Sequence, residues 1–135
     1  MTVLVVDASV LAVALADDGK DGDQARARLR GEHLVMPELA DLEVASVLRR
    51  QIRAGAIDGR RAGLALDDLA ALPAQRAPHR PLLARCWELR DSLTMYDAAY
   101  VALAEAMQAT LLTGDERLAR APGPRCLIQT LQTAP

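Results

Sequence analysis

Four acidic residues occupy positions where the surrounding pattern predicts packed, apolar neighbours. Asp7 ends the apolar run 3–6, and Asp115 follows a second apolar run late in the chain. Glu43 and Asp97 each lie four residues from an apolar residue, the spacing of neighbours on one helix face. This predicts that both acids lie on packed helix faces. A carboxylate in such a place is costly unless it is paired or bound to a cation. No histidine or lysine accompanies these acids in the sequence, so they predict a shared site for Mg²⁺ or Mn²⁺ rather than zinc.

Taken singly, each acid also fits an ordinary structural role, either as part of a helix or turn cap or as half of an ion pair. The residues that offer such roles are Thr94 before Asp97, Thr113 before Asp115, Arg49 or Arg50 after Glu43, and a neighbouring loop for Asp7. Four independent coincidences are less plausible than one shared cause. The set as a whole therefore favours a common site.

Short apolar runs alternate with amphipathic segments along the chain. Strands are predicted at residues 3–6, 34–36 and 110–112, with an edge strand at 126–128 before a frayed tail. Helices are predicted at residues 9–16, 24–30, 38–54, 58–72, 82–93 and 95–108, with a turn or short helix at 117–120. Pro37 is assigned to a first helical turn, Gly55 to a helix end, and residues 73–81 to a loop.

This alternation predicts an α/β domain with a mainly parallel sheet that spans residues 1–135 as a single unit. In such sheets ligands bind beyond the carboxyl ends of the strands. Asp7 and Asp115 follow predicted strands, which places both carboxylates at that edge.

The chain has 135 residues and a formal net charge of −2, so it lacks the basic balance of proteins that hold nucleic acid mainly by charge. If RNA is the substrate, a local arginine patch must bind it, and Arg49, Arg50 and Arg53 follow Glu43 on one predicted helix. Charged residues on a helix are more often simply solvated, and that alternative stays open.

The remaining polar and aromatic residues suggest structural roles. Cys86 and Cys126 are expected to be buried thiols in a reducing cytoplasm, and no export or membrane signal is recognised. His33 and His79 are interpreted as surface or loop residues. Aromatic residues are scarce, and Tyr96 and Tyr100 are interpreted as packing residues.

Four segments resemble the PIN domain, and their order and spacing cover nearly the whole chain. They are VLVVDASV from residue 3, PEL through EVASVLRR at 37–50, YDAAYVALA from residue 96, and LLTGDERL from residue 111. The compact size and the YDAAY segment are similar to the VapC toxin branch of that family. The resemblance implies a three-layer α/β/α sandwich and a metal-dependent endoribonuclease that cuts RNA with a metal-activated water.

The same resemblance implies roles for particular residues and partners. Asp7, Glu43, Asp97 and Asp115 would form the catalytic and metal-binding quartet, with Thr113 and Ser9 as supporting hydroxyls. A VapB-like antitoxin would bind the protein, which would itself form a homodimer.

Other functions remain to be weighed against this one. A phosphotransfer receiver domain needs a lysine near its aspartate, and Lys20 lies in a polar segment far from the predicted edge. A haloacid-dehalogenase-type phosphatase needs a second aspartate two residues after the first, where this chain has Ser9. A PIN nuclease that is not a toxin, or a catalytically silent binding module, stays open.

Overall fold

A parallel sheet lies at the centre of the computed structural model, which describes residues 2–131. Met1 and residues 132–135, which include the end of the predicted tail, lie outside the described residues. Within that range the strands are β1 (Val3–Val6), β2 (His33–Pro37), β3 (Gln75–Ala77), β4 (Thr110–Thr113) and β5 (Ile128–Thr130). Every strand pair is parallel, and the order across the sheet is β3-β2-β1-β4-β5.

Helices fill the connections between the strands. They are α1 (Ala8–Ala16), α2 (Lys20–Leu29), α3 (Leu39–Arg53), α4 (Gly59–Ala71), α5 (Leu83–Glu88), α6 (Met95–Met107) and α7 (Glu116–Arg120), with a 3₁₀ turn at Arg80–Leu82. Helix α1 contacts α2, α3 and α4, and α3 contacts α4, whereas α5 contacts α6, and α6 lies on β1, β2 and β4. The result is the predicted three-layer α/β/α sandwich.

The direction of the chain across the sheet reverses beside β1. From β1 the chain moves outward to β2 and β3, and it then crosses back to β4 on the other side of β1. A reversal of this kind opens a crevice between two strands at their carboxyl ends, where ligands bind in open α/β sheets. Here the crevice lies between the ends of β1 and β4. Those ends carry Asp7 and Thr113.

Burial in the core explains why most of the predicted elements form. Val5 and Val6 of β1 have no exposed surface because helices cover both faces of the central strand. Leu111 and Leu112 of β4 are equally buried. Helix α3 ends as predicted, since Gly55 adopts a φ of +75°, which glycine reaches without steric cost.

Several predicted boundaries were wrong, mostly where the sequence lacks a hydrophobic period. The predicted loop 73–81 contains β3, a short edge strand whose residues are polar or partly exposed. Pro37 ends β2 and pairs with Ala77 instead of starting a helix. The predicted helix 82–93 is helical only over Leu83–Glu88, the second helix begins early at Lys20, and the last strand starts at Ile128.

Three further expectations concern features outside the sheet. No described helix combines the length and the apolar character needed to cross a membrane. Cys86 is buried and Cys126 half-buried, and both are free thiols. His79 is half-buried, and its Nε2 accepts a 2.9 Å hydrogen bond from the backbone N–H of Leu39 at the start of α3.

Candidate active site

Asp7 lies at the carboxyl end of β1 and is 9% exposed. Its backbone N–H donates to the carbonyl of Leu112, which ties it to β4 at 2.9 Å. Its Oδ1 accepts the N–H of Ser9 at 3.3 Å as the N-cap of α1, and its Oδ2 accepts the Thr113 hydroxyl at 2.6 Å. One carboxylate oxygen is therefore oriented by the start of α1 and the other by the end of β4.

The loop after β4 is held to the start of α1 by two hydroxyl groups. Thr113 is fully buried, and its Oγ1 also accepts the backbone N–H of Asp115 at 3.0 Å. Ser9 Oγ accepts the N–H of Gly114 at 3.0 Å, and a Cβ at that glycine would lie 3.2 Å from the same oxygen. Thr113 and Ser9 thus fix the loop that carries Asp115.

Asp115 and Asp97 lie at two helix starts. Asp115 is the N-cap of α7, where its Oδ1 accepts the N–H of Arg117 at 2.9 Å. Asp97 is in the first turn of α6, which Thr94 caps by accepting the N–H of Asp97 at 3.1 Å. The predicted capping roles are therefore real. These caps leave carboxylate oxygens free for other partners, because a cap uses only one oxygen or only the backbone.

Glu43 projects from α3 and is held by a residue that the sequence analysis did not assign to the site. The hydroxyl of Tyr100 donates a 2.6 Å hydrogen bond to Glu43 Oε1, although Tyr100 has no exposed surface. Tyr100 was interpreted as a packing residue only. Its position one turn after Asp97 was the available signal, since residues three apart share a helix face.

The charges of the four acids act on one another. Burial raises the pKa of Glu43 above its usual value; the Tyr100 hydrogen bond opposes this, and the charges of Asp7 and Asp97 raise it further. Burial, followed by the charges of Asp7 and Asp115, raises the pKa of Asp97. Each of the four carboxylates therefore either has a raised pKa or raises that of another, and perturbed pKa values of this kind are typical of functional sites.

Two cavities divide the acidic residues between them. The larger, here called the α3 groove, has a volume of about 480 Å³ and is lined by Asp7, Ser9, Glu43, Leu42, Arg50 and Tyr96, among others. A smaller pocket of about 240 Å³ contains Asp97, Asp115, Thr94 and Arg117. Within residues 2–131 no three His, Cys, Asp or Glu side chains already stand as a group that could hold a metal ion. A cation shared by the quartet would therefore require these side chains to move closer together.

The predicted arginines differ in their relation to the site. Arg50 lines the α3 groove, whereas Arg49 and Arg53 are exposed and are not among the residues that line it. Arg117, which the sequence analysis did not single out, approaches Asp115 with its Nε at 3.5 Å. Of the three arginines predicted to contact RNA, Arg50 has the position best suited to it.

We expect Tyr100→Phe to lower the free energy of unfolding by roughly 1.5–3 kcal/mol at neutral pH, the usual range for a hydrogen bond to a charged group. The hydroxyl stabilises the ionised form of Glu43, so the difference from the wild type should shrink as the pH falls through the raised pKa of that carboxyl. Urea unfolding at neutral and acidic pH measures both effects. A pH-independent difference would assign the loss to packing instead.

Comparison with known proteins agrees with this architecture. The model of the PIN domain matches residues 4–124. Ribonuclease VapC1 of Mycobacterium tuberculosis is 43% identical over 129 residues, which cover 95% of this chain and 97% of that protein. Ribonuclease VapC9 of the same organism is 45% identical over 128 residues, covering 93% of this chain and 95% of its own length.

A solved structure shows the same fold at low sequence identity. The crystal structure of VapBC2 from Rickettsia felis bound to a DNA fragment from their promoter superposes with a TM-score of 0.70 at 12% identity. The match covers 97% of this chain and 100% of that one. With the family match over most of its length and relatives above 40% identity, the chain belongs to the PIN-domain family, in its VapC branch.

Proposed function

We propose that this protein is a divalent-metal-dependent endoribonuclease and the toxin of a toxin–antitoxin pair. The supporting observation is the mutual electrostatic influence of Asp7, Glu43, Asp97 and Asp115 beside the carboxyl ends of β1 and β4. Relatives at 43–45% identity are named ribonucleases, which supports the reaction class. The VapBC2 structural neighbour supports an antitoxin as partner.

The donor set fits Mg²⁺ or Mn²⁺, because four carboxylates supply only oxygen ligands. When bound, such an ion would lower the pKa of water and neutralise charge on the phosphoryl oxygens. Asp7, Glu43, Asp97 and Asp115 would hold it. The other side chains orient these ligands: Thr113 orients Asp7, and Tyr100 orients Glu43.

The proposed reaction is hydrolysis that leaves 5′-phosphate and 3′-hydroxyl ends. Cyclisation through the 2′-hydroxyl would need a general base and acid such as a histidine pair. Neither cavity that contains the acids is lined by a histidine, and His79 already accepts a hydrogen bond from Leu39. The test is cleavage of total RNA by the purified protein with Mn²⁺ or Mg²⁺, and with EDTA as the control. Products ending in 2′,3′-cyclic phosphate would contradict the route, and an inert protein would favour a silent PIN module.

Metal binding should depend on pH because the ligands must lose their protons first. Glu43 and Asp97 have raised pKa values, so without metal their contribution to stability is present at low pH and is lost as the pH rises through those values. We expect Mn²⁺ to raise the midpoint of thermal unfolding more at about pH 7.5 than at about pH 5. An equal shift at both pH values would argue against these two ligands.

Arg50 offers a comparison with its immediate neighbour. We expect Arg50→Ala to weaken RNA binding and to lower the slope of log K against log salt by about 0.7, the change for one phosphate contact with a single strand. Arg49→Ala removes the same charge outside the α3 groove and should leave the slope unchanged. Binding measured by fluorescence anisotropy at several salt concentrations decides this. Equal slopes for the two variants would remove Arg50 from the RNA contact.

The partners follow from family membership. We propose that a VapB-like antitoxin binds this chain and that two copies form a homodimer. Exposed apolar side chains such as Leu42, Leu83 and Trp87 provide surface for such contacts. Sedimentation of the protein alone and after co-expression with a VapB-like antitoxin tests both. A monomer at micromolar concentration would contradict the dimer.

A further inference from the structure

Helix α3 carries Glu43, yet its start lacks the usual side-chain cap. Its N-cap residue, Glu38, has helical backbone angles (φ −55°, ψ −33°), and its side chain makes no capping hydrogen bond. The first N–H groups of a helix have no partner within the helix and need one from elsewhere. Here the partners come from residues 76–79, which lie 35 to 40 residues later in the chain.

Two of these partners belong to the edge strand β3. The carbonyl of Ala77 accepts the N–H of Glu38 at 3.0 Å. Arg76 donates from Nη2 and Nε to the two carboxylate oxygens of Asp41, at 3.1 and 3.3 Å. Because β3 is itself paired with β2, these contacts fix the first turn of α3 relative to the sheet.

The remaining partner is a side chain, the imidazole of His79. Its Nε2 accepts the N–H of Leu39 at 2.9 Å. An imidazole nitrogen accepts a hydrogen bond only when it carries no proton, so the neutral ring must carry its proton on Nδ1. His79 and Leu39 both line a cavity of about 220 Å³ whose other walls are mostly apolar. Tyr96 lines it too but is 65% exposed, so its interpretation as a packing residue was wrong. Water finds few polar partners in such a cavity and is a poor substitute for the imidazole.

Leu39 connects this contact to the candidate active site. It precedes Glu43 by one helical turn, and both residues line the α3 groove together with Asp7. The later turns of α3 are held separately, because the helix also packs on α1 and α4. Asp7 and Tyr100, the neighbours of the Glu43 carboxylate, lie on other elements. A displaced first turn would therefore move Glu43 relative to both of them.

We propose that His79 is a positioning residue for Glu43, because its imidazole fixes the first turn of α3 and so places the Glu43 carboxylate beside Asp7. This inference rests on the proposed function, in which Glu43 is a metal ligand. It gives His79 no contact with RNA or with metal. A side chain that presents an acceptor at the position of Nε2 should fulfil the role, and a shorter one should not.

The experiment compares two amide side chains of different reach in the full-length protein. His79→Gln presents its oxygen close to the position of Nε2, whereas His79→Asn ends near the position of Nδ1. His33→Asn is the matched control, because His33 is exposed at the start of β2, the opposite end of the sheet from the acids. Calorimetric titration measures Mn²⁺ affinity, and cleavage with saturating Mn²⁺ gives kcat and KM. Fluorescence anisotropy in EDTA measures RNA affinity without turnover.

We expect His79→Asn to bind Mn²⁺ about tenfold more weakly and to lose about tenfold in kcat, the lower end of the range for residues that orient metal ligands. RNA affinity in EDTA should not change, because Arg50 lies on the part of α3 that α1 and α4 hold. His79→Gln should restore both Mn²⁺ affinity and kcat, and His33→Asn should match the wild type.

A spectroscopic measurement tests the contact itself. Long-range ¹H–¹⁵N correlation spectra of the wild type at neutral pH distinguish the two tautomers of a histidine ring. His79 should carry its proton on Nδ1, as the hydrogen bond from Leu39 requires. A ring protonated on Nε2 would overturn the proposal.

The positioning role is distinct from a purely structural one. Wild-type Mn²⁺ affinity and kcat in His79→Asn would overturn it, even with a lower midpoint of urea unfolding, because the contact would then serve stability alone. Equal losses in His79→Asn and His79→Gln would overturn it as well. A wild type that neither binds Mn²⁺ nor cuts RNA would overturn the function on which the role depends.

Discussion

Asp97→Asn should lower kcat/KM for RNA cleavage by at least about 100- to 1000-fold, the range for losing one preorganised electrostatic group. The substitution keeps the size of the side chain and the backbone N–H that Thr94 accepts, so α6 retains its cap. It removes one charged oxygen donor from the proposed quartet. Activity is measured with saturating Mn²⁺ on single-stranded RNA.

The same variant should be as stable as the wild type or more stable at neutral pH. Burial and the charges of Asp7 and Asp115 raise the pKa of Asp97, so ionising this carboxyl disfavours the folded state. Its contribution to stability is present below the unfolded pKa and is lost as the pH rises through the folded one. The gain of the variant should therefore appear above the folded pKa and disappear in acid.

A matched variant distinguishes the effect of the position from the general effect of replacing an aspartate by asparagine. Asp67→Asn makes the same change at an exposed position of α4 and should alter neither activity nor the metal-induced rise in the unfolding midpoint. Undiminished cleavage by Asp97→Asn would sink the proposed quartet. A loss of activity accompanied by a lower unfolding midpoint would indicate damage to the fold.

Thr113→Val should reduce both stability and activity. Valine has almost the same shape and suits a parallel strand, but it leaves an oxygen of Asp7 without its donor and the N–H of Asp115 without its acceptor. Thr113 has no exposed surface, so water cannot readily replace the hydroxyl. We expect a loss of about 2–4 kcal/mol in the free energy of unfolding and about a 10- to 100-fold loss in cleavage.

Thr113→Ser is the control for this prediction, because it keeps the hydroxyl and removes only a methyl group. It should cost about 1 kcal/mol and leave cleavage close to that of the wild type. Urea unfolding and single-turnover cleavage measure the two quantities. Equal damage from serine and valine would assign the role of Thr113 to packing.

The helix caps around the acids are compatible with a functional site at the same position. Capping and a shared site were treated as alternatives, but Asp7 and Asp115 cap helices while lying beside the carboxyl ends of β1 and β4, and Thr94 caps the helix that carries Asp97. The physical reason is that helices start just beyond the carboxyl ends of parallel strands. A residue that begins such a helix therefore also lies at the edge where ligands bind.

The parts that could not be predicted depend on contacts between distant segments. Strand β3 is a three-residue edge strand with the sequence QRA, which carries no alternation of apolar and polar residues. The opposite environments of Tyr96 and Tyr100 depend on which face of α6 contacts the sheet. Likewise, Arg49 and Arg50 lie on different faces of α3, and only the packing of that helix decides that Arg50 lines the groove and Arg49 does not.

By itself, the sequence determined the fold class and singled out the four acids as candidates, because buried strands and helix stripes have periods that a single chain displays and because charge is conspicuous on such faces. The tertiary structure alone decided the partners of these acids. The hydrogen bonds of Thr113 to Asp7 and of Tyr100 to Glu43, and the charges that raise the pKa values of Glu43 and Asp97, all join residues far apart in the chain. Hydrogen bonds and Coulomb interactions depend on distance in space, and folding sets that distance.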